Sequence, residues 1–202
     1  MRHNFDRAFD FVVGHEGGYS ADRRDRGNWT TGQVGKGELK GTKFGISAMS
    51  YPDLDIKNLA VADAKEIYFN DYWAKAHCDD LPDGIDYLVF DASVNHGVGQ
   101  AIKFLQIAAG ATADGVLGPQ TKAAVEKRDP LRLIEEFAAQ RQLFWNVLKT
   151  FKFYGHGWTR RGYGSVVRAM LIRKNIDEGP VLDQSKETSP NESLLFGLFR
   201  RV

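Results

Sequence analysis

Cysteine is nearly absent from this chain of 202 residues: Cys78 stands alone. No intramolecular disulfide can form, so the fold must hold without covalent staples in a reducing compartment. An excess of charge of one sign is missing as well, since 27 Lys and Arg almost balance 26 Asp and Glu. Such a balance lacks the broad basic footprint of a nucleic-acid binder and argues against DNA or RNA as a partner. Long apolar runs are missing too. No stretch reaches the roughly 20 apolar residues that a membrane-spanning helix needs, and Asp6, Arg7 and Asp10 interrupt what could otherwise be a secretory core. The chain is therefore expected to be made in the cytoplasm without a signal peptide. No internal repeat or low-complexity tract divides it, and its length suits one domain with a real core.

What is present is mostly helical periodicity. Phe5, Phe9, Val12 and Val13 recur at helical spacing, with Asn4 placed to cap, which predicts an amphipathic helix over residues 5–15 ended by Gly17 and Gly18. Between Gly27 and Gly45 lie six glycines with Thr, Trp and Val. That composition suits a hairpin or loop lobe, expected to be the only β element. From Val61 the pattern turns helical again: Ala64, Ile67, Tyr68 and Tyr72, then Ile85, Leu88, Val89 and Ala92, then Ile102, Leu105 and Ala109, stopped by Gly110. Pro119 opens another helix after the turn "DGVLGPQT". Leu133, Ile134, Phe137, Phe144 and Leu148 outline what should be the longest helix, and Val166 to Ile172 the last. The fold class expected is mainly α, with a small Gly-rich lobe near the N-terminus. Near Asp177 the composition shifts to Pro, Ser, Asn and acidic residues, and the chain ends in the apolar, basic "SLLFGLFRR". Such an end either packs on the parent domain or makes a peripheral contact with an envelope membrane.

Two carboxylates stand out in "VVGHEGGYSADRRDRGNWTT", residues 12–31. Glu16 continues the Phe5, Phe9, Val12 face, where lost hydration and the negative end of a helix dipole both favour the protonated acid. Asp25 is flanked by Arg23, Arg24 and Arg26, cations that stabilise its anion. Surroundings that push two carboxyl groups apart in this way make the acid and base pair of glycoside hydrolysis.

Glu16, eight residues, Asp25, five residues, Thr31 reproduces the Glu, Asp, Thr spacing of phage-type lysozymes. "EGGYSADRRDRG" with "GTKFGIS" resembles the glycoside hydrolase family 108 muramidases, which include phage endolysins and muramidases linked to toxin or protein secretion. The resemblance continues through Tyr72 and Trp73, "FDASVNHG" at residues 90–97 and "GWTRRG" at residues 157–162, and "FLQIAAGATADGVLGPQTKAAV" is similar to a peptidoglycan-binding-type region. It implies a lysozyme-like fold with a muramidase catalytic region over 1–97, a helical peptidoglycan-binding-type region over 98–176 in the same globule, and a linker and tail over 177–202. It implies a monomer that cleaves the glycan strands of peptidoglycan without metal or other cofactor and reaches the periplasmic wall by holin-type release. Glu16 would be the general acid, Asp25 would orient water or stabilise positive charge, and Thr31 would assist the water. One departure bears on the threonine: "NWTTGQVGKGELKG" looks inserted, so Thr42, just before "KFGIS", competes with Thr31.

Other candidates weigh less. "HEGGY" lacks the second histidine of a zinc peptidase helix. His77 and Cys78 are adjacent and do not face each other on a helix, so a buried cysteine is the better reading. Tyr19, Trp29, Trp73 and Trp158 could stack on sugars; Trp73 and Trp158 are read as core. Asp22 is read as a surface partner of an arginine. Asn95, beside Gly97, is read both as a helix-end residue and as a substrate contact, together with Tyr19 and Thr42.

Overall fold

The computed structural model describes residues 4–14 and 18–176, and the described chain is mainly helical with one small antiparallel sheet. Helix α1 runs Phe5–Val13, α2 Val61–Tyr68, α3 Ile85–His96, α4 Val98–Ala109, α5 Pro119–Glu126, α6 Pro130–Asn146 and α7 Phe151–Arg173. Strands β1 (Thr42–Lys43) and β2 (Ile46–Ser47) pair in the register Thr42 with Ser47 and Lys43 with Ile46. Among the described residues two compact units form: one holds residues 9–70 and the other residues 71–176 together with residues 4–8.

The first helix is shorter than its periodicity predicts. Gly14 takes the left-handed conformation with φ of 66°, its N–H bonds to Asp10 O, and the helix closes there. Nor does the Asn4 side chain cap it: the amide donates to Asp83 Oδ1 and Asp86 Oδ2, both at 2.8 Å. An early stop means that the described helical face ends before position 16. Glu16 itself, with its neighbours His15 and Gly17, lies outside the described residues, as do 177–202.

The helical unit is built on a core of large apolar side chains. α3 packs on α4, α6 and α7, and α6 packs on α4 and α7. Phe5, Trp73 and Phe90 meet edge to face at centroid distances of 5.4 to 5.7 Å, and Trp73 and Trp158 are buried. Cys78 is buried too, and desolvation pushes its thiol well above the ordinary range. Gln106, also buried, donates to Asp114 Oδ1, Val116 O and Thr121 Oγ1 and accepts from Gly115 N–H, fixing the "DGVLG" turn before Pro119.

The longest helix is α7 with 23 residues, not α6 with 17. The stretch before Val166 was illegible because four glycines dilute the apolar period, and two of them serve packing. A Cβ on Gly155 would sit 2.8 Å from the Phe151 ring, and one on Gly162 would sit 3.0 Å from Trp145. Aromatic rings therefore lie directly on the backbone where an apolar side chain would normally mark the buried face.

Candidate active site

Residues 18–48 form the glycine-rich lobe, whose frame is made of backbone hydrogen bonds. Ser20 and Thr42 exchange both amide bonds, at 2.9 and 2.8 Å, which attaches the segment after position 17 to β1. From Asn28 the chain runs out and back as an antiparallel excursion. Trp29 bridges Leu39, Thr30 N–H donates to Glu38 O, and the carbonyl of Asn28 accepts from Lys40 and Gly41 N–H at 3.0 Å each. The excursion is closed at its base, so Asn28 and Gly41 are neighbours although twelve residues separate them in sequence.

Asp25 sits at this base. It caps the 3-10 turn Arg26–Asn28, with Oδ1 accepting from Gly27 N–H at 2.8 Å, and it is half-buried. Gly27 lets the carboxylate lie close, since a Cβ there would stand 3.2 Å from Asp25 Oδ1. Of the three arginines expected around Asp25, Arg24 is engaged elsewhere: it pairs with Asp22 at 2.8 Å, and its hydrogen bonds hold the Asp22 carboxyl down at about 2. Among the described residues, the Asp25 carboxylate thus accepts from a backbone N–H rather than pairing with a guanidinium.

Asn28 is fully buried and fixes the direction of a short relay. Its amide nitrogen donates to Asp22 O at 3.0 Å, so its amide oxygen is the acceptor, and Thr42 Oγ1 donates to it at 2.7 Å. With its proton committed, the Thr42 hydroxyl presents only acceptor capacity to its surroundings. Such an oxygen can take a hydrogen bond from a water molecule and orient it.

Thr31 occupies a different place. It is exposed, near the far end of the excursion, and its hydroxyl donates to Lys36 O at 2.8 Å while accepting from Gln33 N–H at 3.3 Å. Both functions of that hydroxyl serve a local turn. Tyr19 is 40% exposed and lies over Gly41, where a Cβ would stand 2.6 Å from Tyr19 Cε2 and 2.5 Å from Ser20 O. Gly41 has φ of +82°, so conformation and close approach both require glycine there. Trp29 is half-buried, its indole N–H donating to Arg23 O. The lobe thus ties Asp25 and Thr42 into one hydrogen-bonded frame, sets the Tyr19 ring beside it over Gly41, and leaves the Thr31 hydroxyl outside it. Asn95 belongs to the helical unit, where it lies in the last turn of α3 and its amide donates back to Asp91 O at 3.0 Å.

Sequence reasoning missed two sets of residues. Asn28 carried no signal, because a single Asn among glycines reads as a turn residue. Asp91, within "FDASVNHG", is buried between Arg141 and Arg161, which approach its two oxygens at 2.5 and 2.6 Å. Burial alone would push that carboxyl up; the charges of Arg161 and Arg141 outweigh it and hold it well below the ordinary range. Arg141 also donates from Nε to His96 Nε2 at 3.2 Å. The ring must accept there, so it is neutral with its proton on Nδ1, in keeping with burial and Arg141 pushing His96 down to about 2. Asp91 and His96 share α3, but Arg141 and Arg161 come from distant helices, so only folding reveals which cations meet the carboxylate.

Comparison with known proteins gives two findings. The family described as glycosyl hydrolase 108 matches residues 9–97, the segment that holds the lobe. The solved structure of Brucella abortus SagA is similar to this chain at 31% identity with a TM-score of 0.71, covering 86% of this chain and 98% of that one. No curated protein matches the chain.

Proposed function

The chain belongs to the glycosyl hydrolase 108 family, and on that premise we propose that it is an N-acetylmuramidase, cleaving the β-1,4 bond between N-acetylmuramic acid and N-acetylglucosamine in peptidoglycan. The observation that carries the reading is the frame at the base of the lobe, where the Asp25 carboxylate accepts from Gly27 N–H while Asn28, its backbone N–H on the Asp25 carbonyl, accepts the proton of the Thr42 hydroxyl. Glycoside hydrolysis needs an acid for the leaving oxygen and a second group that handles water or developing positive charge. We assign the first role to Glu16, on its place in the motif, and the second to Asp25, with Tyr19 offering a sugar-stacking face; the family motif alone makes Asn95 a further substrate contact.

Chain spacing favours Thr31 as the water-assisting threonine. Hydrogen bonding favours Thr42, whose proton goes to Asn28, whereas the Thr31 hydroxyl is used by its own turn. We place the role on Thr42 and treat the excursion from Asn28 to Gly41 as an insertion that reproduces the shorter spacing by coincidence.

The context proposed is a phage endolysin, released to the periplasmic wall through a holin, acting as a monomer without metal or other cofactor, with residues 98–176 as a peptidoglycan-binding-type region. The rival is a wall-binding or secretion-helper protein of the same fold without catalysis; the intact Glu16 speaks against it. Glu16→Gln tests the two. The amide matches the acid in size but cannot deliver a proton. A folded Glu16→Gln protein should lose wall lysis entirely, and substantial residual lysis would remove Glu16 from the role.

A further inference from the structure

Charge balance over the whole chain conceals a strong local imbalance. Between residues 137 and 176 there are eight Lys and Arg and no Asp or Glu, leaving 19 basic against 26 acidic residues elsewhere. Most of this segment is α7. Phe153, His156, Arg160, Tyr163, Val167 and Met170 follow one another at alternating steps of three and four, so they share one face of the helix, and every one of them is exposed. Phe153 and Tyr163 are 71% and 72% exposed, and Val147, just beyond α6, reaches 80%. Lys149, Lys152 and Lys174 stand exposed along or beyond the same helix. A shallow groove on this face has the Phe151 ring in its floor and Lys152, His156 and Arg160 along it.

We propose that this face of α7 docks on an anionic lipid bilayer. The chemistry favours that occupant over three others. Large apolar side chains interspersed with cations can enter the interface while the cations meet headgroup phosphates. A nucleic acid or a soluble wall polymer would use the cations but leave Val147, Val167 and Met170 unexplained. A second copy of the chain using the same face would bring one set of cations against another, with no acidic residue between 137 and 176 to pair them, an arrangement that opposes association. Residues 177–202 could contribute a contact of their own through Leu194, Leu195 and Arg200, which the test separates.

The test is flotation of the full chain with vesicles of phosphatidylglycerol and phosphatidylethanolamine, against vesicles of phosphatidylcholine alone. The expected result is salt-sensitive binding to the anionic vesicles only. In Lys152→Gln/Lys174→Gln the partition should fall roughly twenty-five-fold, two cations at about fivefold each. Phe153→Ser/Val167→Ser should lower it as well, with melting temperature unchanged in both variants. A chain truncated after Ile176 should keep most of its binding. The proposal is overturned by equal binding to neutral vesicles, by no binding to either, or by binding that survives the helix substitutions and disappears on truncation. Capture by duplex DNA with no vesicle binding would overturn it too. The assay needs no hydrolysis, so its outcome is independent of whether the chain cleaves peptidoglycan.

Discussion

The glycine-rich lobe and the helical unit solve the same problem, holding polar groups in fixed positions, by opposite means. In the lobe the fixed points are backbone amides and one buried amide side chain, Asn28, all neutral and all paired. In the helical unit the fixed point is a buried carboxylate compensated by two guanidinium groups. A neutral frame is cheaper to bury and loses less when one partner is removed; a charged one is held by strong mutual attraction and fails badly when unbalanced. The comparison teaches where each kind of variant should do harm.

The largest effect on stability is expected from Asp91→Asn, which leaves Arg141 buried beside no anion. Breaking a buried ion pair from one side costs about 3 to 5 kcal/mol, so urea denaturation should show a loss of that order. A loss under about 1 kcal/mol would mean that the cluster relaxes or hydrates, and the contrast between the two regions would weaken. Asn28→Ala comes next, at about 1 to 3 kcal/mol for stranded hydrogen-bonding groups. Its mark should be local, with faster amide exchange at Gly41 and Thr42 and a clear fall in wall-degrading activity. An exchange pattern spread through the helices would instead show that the lobe is not a separate frame.

The threonines sharpen the picture inside the lobe. Thr42→Ala should remove much of the turnover on purified peptidoglycan with little change in binding, while Thr31→Ala should be mild. The reverse ranking would return the role to Thr31 and demote the relay through Asn28.

A smaller, pH-dependent effect belongs to Asp86. Burial pushes its carboxyl up to about 6 from the usual 3.8, outweighing hydrogen bonds from Asn4, Tyr87 N–H and Gly84 N–H, and the charge of Asp83 adds to the rise. Because the folded state holds this proton more tightly than the unfolded one, stability is gained as pH falls from 6 toward 4 and lost as pH rises through 6. Asp86→Asn should flatten that slope in melting temperatures taken between pH 4 and 7; an unchanged slope would assign it to other groups.

Much of the fold was legible in the sequence because its helices follow apolar period and their ends carry Gly or Pro. Gly110 and Pro119 stand where the sequence places them, at φ of 76° and at the first position of α5. The start of α7 was not legible, since at Gly155 and Gly162 the rings of Phe151 and Trp145 lie against glycine backbone, where the apolar period expects a side chain. Of the candidate site, Asp25 could be named from a motif, but its partner could not: sequence neighbours pointed to arginines, and the chain turned so that Gly27 N–H met the carboxylate instead. The Thr42 relay is longer-range still, closing across an excursion whose length hides the adjacency of Asn28 and Gly41.

The most direct test of the central claim is mass spectrometry of the soluble products released from purified sacculi. A muramidase leaves disaccharide peptides with reducing N-acetylmuramic acid ends, and these should appear with the parent chain and be absent with Glu16→Gln. Reducing N-acetylglucosamine ends, peptides freed from intact glycan, or no soluble product from a folded parent chain would contradict it.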